Sequence, residues 1–198
     1  LTRGDERGDV YILIFDQKGN IIKKRQFNEF NDPQGMLSIR NTSLCVSDTL
    51  NRKAVLLNHN LDIIKTIDLS KLSGDNRFLC RIPSLLNYQI LFSDYHTGKV
   101  IVTDLELNFI KMFSIDFKKF GLSNLRRIFK VNNYYLLLGK CSKDSSPIIL
   151  TKSFSNNIQK YKCIMNRFIT PVDYICLNKK HIILDKEFFI LKNFDLSF

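Results

Sequence analysis

A stretch between Asp32 and Ile67 is echoed later in the chain, and this internal repeat limits the folds that the chain can adopt. The run Leu44–Asp48 has a counterpart in Ile90–Asp94, which places the two aspartates 46 residues apart (94 − 48 = 46). Each copy continues with a short apolar run, Val55–Leu57 or Val100–Val102, and then a polar turn. A period in the forties with several short apolar runs per repeat is typical of β-propeller blades and not of helical repeats.

The spacing of the apolar runs predicts an all-β fold made of four-stranded antiparallel blades. The runs are three to six residues long and are separated by Asn, Asp, Gly, Ser and Lys, which favours short strands and almost no helix. We predict a hairpin of the two outer strands of a blade at Val10–Phe27, with turn residues Gly19 and Asn20 at its tip. Further outer hairpins are expected around Asn58–Asn60 and Asp104–Glu106.

We interpret residues 1–198 as a single propeller domain. The expected blade pieces are residues 8–29, 30–70, 77–117, 124–164 and 168–198. At roughly 44 residues per blade, the chain holds about four to five blades. Because the chain begins with Leu1 and opens on an outer hairpin, we expect it to be part of a six-bladed ring. The alternative is a small ring that closes by pairing its first and last strands.

The charge balance favours an anionic partner. The chain has 30 Lys and Arg against 19 Asp and Glu, a formal net charge of +11, which is typical of proteins that bind nucleic acid or an acidic membrane surface. The alternative is a composition rich in Lys, Asn, Ile and Phe whose lysines are only solvated. No apolar run approaches the roughly 20 residues that span a bilayer, so no membrane insertion is expected.

The cysteines indicate a reducing compartment and no metal. The five cysteines are odd in number and form no CxxC pair, which argues against a zinc site and against a regular disulfide framework. Cys45 stands inside an apolar strand run, where a thiol behaves as a small hydrophobic group. We therefore expect a cytoplasmic protein.

The first copy of the repeat resembles the NHL repeat. It has the Pro-x-Gly-apolar, Val-x-Asp, Asn, Arg and apolar elements of that family, at Pro33, Gly35, Met36, Val46, Asp48, Asn51, Arg52 and Val55. The second copy keeps Pro83, Asp94 and Gly98 but has Leu85 in place of the glycine and Lys99 in place of the arginine. The motif covers about 80 residues, and the later copies match by rhythm alone. The resemblance implies a propeller that binds single-stranded RNA, as some NHL domains of the TRIM type do, or that docks proteins.

Three of these motif residues are interpreted as scaffold. Gly35 permits a backbone approach that a Cβ would hinder where the chain enters a crowded inner strand. Asp48 and Asn51 are expected to hydrogen-bond the backbone of their own turn.

Catalytic and cofactor signatures are weak in this sequence. The three histidines, His59, His96 and His181, are far apart in the repeat, and His59 and His96 are expected on opposite ends of the blades. There is no Gly-rich phosphate loop, HExxH or GxSxG. We therefore expect that the chain is not an enzyme, needs no cofactor and binds no metal.

The functional residues are expected on a basic loop face. In a four-stranded blade, the loop between the second and third strands and the loop that joins consecutive blades emerge on the same face. The predicted nucleic-acid-binding residues there are Arg52, Lys53, Tyr95, His96, Lys99, Lys119, Arg126, Arg127, Lys140 and Lys143. Basic side chains beside aromatic ones suit single-stranded RNA, in which phosphates meet Lys or Arg and bases stack on flat groups. The alternatives are a protein partner on the same face, as in ubiquitin-ligase-type substrate docking, and a secreted or periplasmic six-bladed propeller that acts as a sensor or binds carbohydrate.

Overall fold

Five antiparallel sheets follow one another along the chain in the computed structural model. The structure describes residues 2–3, 9–40, 42–131, 134–141, 148–151, 161–163, 171–177, 180–185 and 191–194, with side chains for 9–40, 42–118, 120–130 and 135–139. In every sheet the hydrogen-bonded neighbours are consecutive strands, so each sheet is a meander. We call the sheets blades 1 to 5 in chain order.

Among the described residues, blades 2, 3 and 4 have four strands each, and blades 1 and 5 have three. The strands of blades 1 to 3 are β1 (Thr2–Arg3), β2 (Val10–Phe15), β3 (Ile21–Phe27), β4 (Pro33–Ile39), β5 (Ser43–Asp48), β6 (Lys53–Asn58), β7 (Ile63–Asp68), β8 (Ser84–Leu86), β9 (Gln89–Ser93), β10 (Lys99–Thr103) and β11 (Phe109–Ser114). Those of blades 4 and 5 are β12 (Leu122–Val131), β13 (Tyr134–Cys141), β14 (Ile148–Thr151), β15 (Tyr161–Cys163), β16 (Pro171–Leu177), β17 (Lys180–Asp185) and β18 (Leu191–Phe194).

This arrangement confirms the prediction of an all-β chain with four-stranded antiparallel blades. Two short helices, α1 (Leu69–Ser73) and α2 (Phe117–Phe120), lie in the loops that join blade 2 to blade 3 and blade 3 to blade 4. No helix in the described part of the chain is long and apolar enough to cross a membrane.

The tips of the outer hairpins of blades 1 to 3 share one hydrogen-bond pattern. The first turn residue is Asp16, Asn58 or Asp104, and its Oδ1 accepts the backbone N–H groups of the residues two and four positions later at 2.7–3.0 Å. Such side-chain turns replace backbone hydrogen bonds that the chain reversal leaves open. The outer hairpins expected at these three places are thereby confirmed.

Three residues after each of these turn residues, the backbone enters the left-handed region. Gly19 has φ 85°, as the turn chemistry predicts, but the equivalent residues Leu61 and Leu107 have φ 68° and 60°. This backbone conformation is sterically unfavourable for leucine, because it has a Cβ. Both leucines are buried, at 0% and 1% exposure, and pack between neighbouring blades. Burial of the side chain offsets the backbone cost.

The core lies between consecutive blades, which pack face to face. Ile12 of blade 1 packs with Val46 and Leu57 of blade 2 in one cluster. Cys45 of blade 2 packs with Phe92 of blade 3 in the next. A third cluster joins blade 3 to blade 4. Blades 1 to 4 therefore bury side chains between the sheets that follow one another in sequence, which is the packing of propeller blades.

Gly35 has the structural role that was predicted for it. A Cβ on Gly35 would lie 2.4 Å from the carbonyl oxygen of Arg81 and 2.6 Å from the Cα of Ile82. Both are backbone atoms of the segment that enters blade 3. Only glycine lets β4 approach this segment so closely.

Candidate functional site

One end of the blades is built from the loops that link second to third strands together with the loops that join blades. We call this end the loop face. The backbone N–H of Leu69 donates to the carbonyl oxygen of Arg52 at 2.9 Å, and that of Ile115 donates to Gly98 at 2.9 Å. The two kinds of loop thus meet on the same face, as the sequence predicted.

In blades 2 and 3, a buried aspartate joins the loop after the second strand to the segment that enters the same blade. Asp48 Oδ1 accepts the backbone N–H of Asn31 at 2.7 Å, and its Oδ2 accepts the side-chain amide of Asn51 at 2.7 Å. Asp94 Oδ1 accepts the backbone N–H of Leu79 at 2.9 Å, and its Oδ2 accepts from Thr97. Asp48 and Asp94 are 2% and 0% exposed. Both are scaffold residues, as was predicted for Asp48.

The partners of Asp48 and Asn51 differ from those predicted. Both were expected to bond the backbone of their own turn, but Asp48 bonds the backbone N–H of Asn31, and the Asn51 amide also donates to the carbonyl oxygen of Glu29 at 2.9 Å. Residues 29–31 belong to the segment that enters blade 2. A turn-forming residue is recognised from its local sequence, but a contact with a segment some 20 residues away depends on the blade geometry.

The segment that enters blade 3 is fixed by side chains of blade 2. The hydroxyl of Ser47 donates to the carbonyl oxygen of Arg81 at 2.6 Å, and the hydroxyl of Thr49 donates to that of Cys80 at 2.9 Å. Cys80 also forms an isolated β-bridge with Asp94. These contacts set the position from which the Arg81 side chain leaves the backbone.

Arg81, Tyr95 and His96 contact one another in sequence on the loop face, and we call this group the Tyr95 cluster. The guanidinium carbon of Arg81 lies 4.0 Å from the centre of the Tyr95 ring. The Tyr95 and His96 rings are 4.8 Å apart between centroids and nearly perpendicular, at 87°. Arg81 and Tyr95 are partly exposed and His96 is exposed. The Arg81 guanidinium therefore makes a cation–π contact with Tyr95, and the Arg81 side chain remains partly exposed to solvent.

The loop face continues from this cluster into blade 4. The carbonyl oxygen of Tyr95 accepts the backbone N–H of Leu125 at 3.1 Å, which places Arg126 and Arg127 next along β12. Both arginines are partly exposed. The guanidinium carbon of Arg127 lies 4.7 Å from the centre of the Phe129 ring. Consecutive blades thus each carry an arginine near an aromatic ring, Arg81 ahead of β8 and Arg127 within β12.

Arg52 and Lys53 lie in the corresponding loop of blade 2, and both are exposed. Arg52 has φ 57°, and its backbone N–H donates to the carbonyl oxygen of Thr49 at 3.1 Å, so its turn is ordered. Lys53 begins β6 opposite Asp68 of β7. The two residues add positive charge to the loop face from a different blade.

Lys99 is engaged within the fold. Its Nζ donates to the carbonyl oxygen of Ser73 at 3.3 Å and lies 3.4 Å from a carboxylate oxygen of Asp75. The backbone N–H of Arg77, helped by Lys99, holds the pKa of Asp75 below its ordinary value. Lys99 ties the loop of blade 3 to the end of α1, and its charge is shared with Asp75.

Three further predicted residues cannot be placed on this surface. Lys119 belongs to α2 and Lys140 to β13, but both side chains lie outside the described residues. Lys143 lies outside them altogether. Their role in binding stays a prediction.

The sequence placed Arg81 on the basic face, in a loop that joins two blades, but not among the residues predicted to bind nucleic acid. The structure places it beside Tyr95, in the Tyr95 cluster. Its stacking on Tyr95 depends on the path of the entering segment across blade 2, which local sequence does not indicate.

The described residues hold no group of three or more His, Cys, Asp or Glu side chains that could bind a metal ion. Cys45 and Cys80 are buried in one core cluster. Burial raises the pKa of the Cys80 thiol to about 12 and that of Cys45 further still. Such thiols are protonated and inert at neutral pH. Cys45 is a small hydrophobic core residue, as predicted.

Comparison with solved structures shows that the chain has a β-propeller fold. It is similar to virginiamycin B lyase from Staphylococcus aureus, with 13% identity and a TM-score of 0.60 over 93% of this chain. It is similar to a 6-phosphogluconolactonase-like protein from Bacteroides uniformis, with 10% identity and a TM-score of 0.61 over 93% of this chain. The Cps50 (Swd1) β-propeller domain of Myceliophteria thermophila has 9% identity and a TM-score of 0.59 over 91%.

The chain spans 62%, 63% and 56% of the lengths of these three proteins. No protein-family model matches the chain, and no curated protein matches it. Identities this low show the fold alone. The resemblance to the NHL repeat in particular stays a prediction.

These comparisons correct one expectation drawn from the sequence. We expected that the chain is not an enzyme, because its catalytic and cofactor signatures are weak. Two of the similar structures are named as a lyase and as a 6-phosphogluconolactonase-like protein. The fold therefore gives no reason to exclude catalysis, and the expectation was wrong.

Proposed function

We propose that this protein is an NHL-like propeller of the cytoplasm whose loop face binds single-stranded RNA. The observation that carries the proposal is the Tyr95 cluster. Its guanidinium is stacked on a phenol ring 4.0 Å away, next to an exposed imidazole, and two more arginines follow on the neighbouring blade.

The chemistry of this cluster suits a nucleotide. A guanidinium over an aromatic ring still has hydrogen-bond donors in its own plane, and these can bind a phosphate in bidentate fashion. An exposed imidazole or guanidinium plane accepts a stacked base, which contributes about 1–3 kcal/mol per base in single-strand complexes. Tyr95 is covered on one side by Arg81, so His96 is the open flat group.

The charges on the loop face support an RNA strand that crosses several blades. Arg52 and Lys53 lie in the loop of blade 2, Arg81 in the segment that enters blade 3, and Arg126 and Arg127 on β12 of blade 4. Lys99 is left out of this set because it is paired with Asp75. The formal net charge of +11 adds a general attraction for the phosphate backbone.

Salt dependence of binding tests the proposal. A fluorescein-labelled 12-nucleotide RNA of random sequence is titrated with the protein at several salt concentrations, and binding is followed by anisotropy. Five basic contacts predict a slope of about −3.5 for log K against log salt, since single strands release about 0.7 counterion per contact. Affinity that does not change with salt, or no binding at low salt, contradicts RNA binding and leaves the protein-docking alternative for this face.

Matched variants locate the surface. Replacing Arg52, Arg126 and Arg127 together by Gln is expected to weaken binding and to lower the slope by about 2. The control replaces Lys24, Lys65 and Lys111, which lie on outer strands, by Gln and removes the same charge. Equal losses in both triple variants would show that binding follows net charge and not the loop face.

A further inference from the structure

Tyr88 combines an exposed side chain with a strained backbone. The hairpin of β8 and β9 turns through two residues, Asn87 and Tyr88, and both lie in the left-handed region, at φ 47° and 61°. Such a turn favours Asn-Gly, because glycine adopts this conformation without a steric penalty. Tyrosine takes the glycine position here, and its side chain is 73% exposed.

Burial does not offset the backbone cost at Tyr88. At Leu61 and Leu107, which have similar φ values, the side chain fills the core between blades. The contact printed by the fold at Tyr88 is with Arg40, whose guanidinium carbon lies 5.3 Å from the ring centre and whose side chain is itself exposed. Exposed contacts of this kind are weak. Backbone strain without a gain in packing is typical of residues that bind a ligand or partner.

Tyr88 belongs to an end of the blades that is rich in exposed apolar side chains. We call this end the turn face, because the outer hairpin turns and the β4–β5 and β8–β9 turns emerge there, opposite the loop face. Each outer strand of blades 1 to 3 begins with an exposed apolar pair: Ile21–Ile22, Ile63–Ile64 and Phe109–Ile110. Blades 2 and 3 have a blade on each side, so the exposure of their pairs is not that of a terminal blade. Of the exposed large hydrophobic side chains in the described part of the chain, only Leu50 lies on a loop of the loop face.

A groove links the inner turns of this face to the outer ones. It lies between blades 2 and 3, has a volume of 360 Å³, and is lined by Arg40, Ile64 and Leu105. Because Arg40 also contacts Tyr88, inner and outer turns form one continuous surface across the two blades. Equivalent turns emerge at the same end of the propeller, so a flat partner can contact several of them at once.

The cations of the turn face keep their charge. Lys18, in the outer turn of blade 1, and Lys111, on β11, are exposed. Lys130 donates to the side-chain oxygen of Asn87 at 2.9 Å, and Arg40 lies over the Tyr88 ring. An amide oxygen or a ring does not neutralise a cation, so these contacts fix the position of the charge and do not remove it.

The acids of the turn face oppose this charge only in part. Asp16 and Asp104 accept backbone N–H groups of their own turns, and Asp62 forms an ion pair with Arg25. Glu106 is exposed. The formal net charge of the chain is +11. The turn face therefore suits an anionic partner.

We propose that the turn face binds peripherally to anionic lipid bilayers. At a lipid–water interface, an aromatic ring and apolar side chains leave water while neighbouring cations meet anionic headgroups. A bilayer is flat, so it contacts the inner turn with Tyr88 and the outer strands with Ile64 and Ile110 together. This site is separate from the loop face and does not depend on RNA binding there.

Vesicle sedimentation tests the proposal. Binding is compared between vesicles of phosphatidylcholine alone and vesicles with about 30% phosphatidylserine, whose negative surface attracts cations. The wild type is expected to bind the phosphatidylserine vesicles at least about tenfold more tightly. Equal binding to both overturns the proposal. So does binding to neither, which leaves a protein as the partner of the exposed ring.

Tyr88→Gly separates binding from folding. Glycine adopts φ 61° without strain, so the variant should unfold at the same urea concentration as the wild type or at a higher one. Its binding to phosphatidylserine vesicles is expected to fall about tenfold, because a large aromatic surface no longer leaves water. Leu50→Ser is the control, since it removes an exposed apolar side chain from the loop face and should leave binding unchanged. Unchanged binding by Tyr88→Gly contradicts the proposal.

The two triple variants of the RNA experiment serve here in reversed roles. Both remove the same charge, but the outer-strand variant is expected to weaken vesicle binding more than the loop-face variant does. The opposite order would show that vesicles bind the loop face, and equal losses would show that they follow net charge. Either result overturns the proposal, whether or not the loop face binds RNA.

Tryptophan fluorescence locates the contact. The chain has no tryptophan, so Tyr88→Trp gives a protein with a single one. Its emission is expected to shift to shorter wavelength with phosphatidylserine vesicles, because the ring moves from water to the interface. Leu50→Trp is the matched probe on the loop face and should show no shift. No shift for Tyr88→Trp, or an equal shift for both variants, overturns the proposal.

Discussion

Asp48 and Asp94, which stand 46 residues apart, make the same pair of contacts in consecutive blades. One carboxylate oxygen of each accepts a backbone N–H from the segment that enters its own blade, from Asn31 at 2.7 Å and from Leu79 at 2.9 Å. The other oxygen accepts from a side chain three residues later, Asn51 or Thr97. The aspartate is therefore kept in both copies because it joins two segments that are far apart in sequence.

Asp94→Ala is expected to destabilise the fold by about 1.5–3 kcal/mol. It leaves the backbone N–H of Leu79 and the Thr97 hydroxyl without their buried charged acceptor. Asp94→Asn keeps one acceptor oxygen and should cost less. Urea unfolding of the two variants and the wild type checks this order. A cost for Asn equal to or above that for Ala would show that the charge, and not the hydrogen bond to Leu79, is what the site requires.

Asp48 is expected to make stability depend on pH in the direction opposite to most carboxylates. Burial raises its pKa above the ordinary value, against the opposing effect of the hydrogen bonds from Asn51 and Asn31. The folded state then holds the proton more tightly than the unfolded state does. Stability therefore falls as pH rises from the ordinary Asp pKa, about 4, through the raised value. The free energy of unfolding of the wild type, relative to Asp48→Asn, should decrease over this window in urea titrations at successive pH values.

Asp68 provides the matched comparison for the pH experiment. It caps α1, and the hydroxyl of Ser70, with the backbone N–H of Lys71, lowers its pKa. Its contribution to stability is present above the ordinary Asp pKa and is lost as pH falls through the lowered value. The difference between wild type and Asp68→Asn should thus grow with rising pH where that of Asp48→Asn shrinks. If both differences grow with rising pH, the assignment of Asp48 is contradicted, and if both shrink, that of Asp68 is contradicted.

The sequence predicted those features of the fold that depend on residues close together in the chain. The outer hairpins belong to this class, because Asp16, Asn58 and Asp104 each bond backbone groups no more than four residues away. The repeat spacing, 42 residues from Asp16 to Asn58 and 46 from Asn58 to Asp104, then placed the hairpins in successive blades. Blade order and antiparallel pairing follow from these local units.

The candidate site was predicted less well because its geometry depends on distant segments. Tyr95 and His96 were predicted, but the arginine that stacks on Tyr95 is positioned by Ser47 and Thr49 of the preceding blade. Lys99 was taken as a surface charge, yet it contacts Ser73 and Asp75, more than 20 residues earlier. No local pattern indicates either contact.

Gly35→Ala is expected to destabilise the protein by several kcal/mol. The new Cβ would lie 2.4 Å and 2.6 Å from backbone atoms of Arg81 and Ile82, which cannot move as a flexible side chain can. Overpacking against rigid atoms typically costs about 1–3 kcal/mol or more. Gly19→Ala is the control, since its Cβ would meet nothing within 4 Å and only the φ of 85° is unfavourable, at a cost of about 1–2 kcal/mol. A thermal shift for Gly35→Ala no larger than that for Gly19→Ala would contradict the close approach of β4 to this segment.

Leu61 should respond to substitution in an unusual order. Leu61→Ala leaves a cavity beside Val46 and Leu57 and is expected to cost about 2–5 kcal/mol, since Leu61 is fully buried. Leu61→Gly enlarges the cavity slightly but relieves the φ of 68°, which costs a residue with a Cβ about 1–2 kcal/mol. Glycine is therefore expected to be no worse than alanine here, whereas at Val55, buried inside β6, it should be clearly worse. Urea unfolding of the Ala and Gly variants at both positions measures the two differences. If the Gly variant is less stable than the Ala variant by the same amount at Leu61 and at Val55, the left-handed backbone at Leu61 does not destabilise the fold. Burial of the leucine side chain would then not be offsetting any backbone strain.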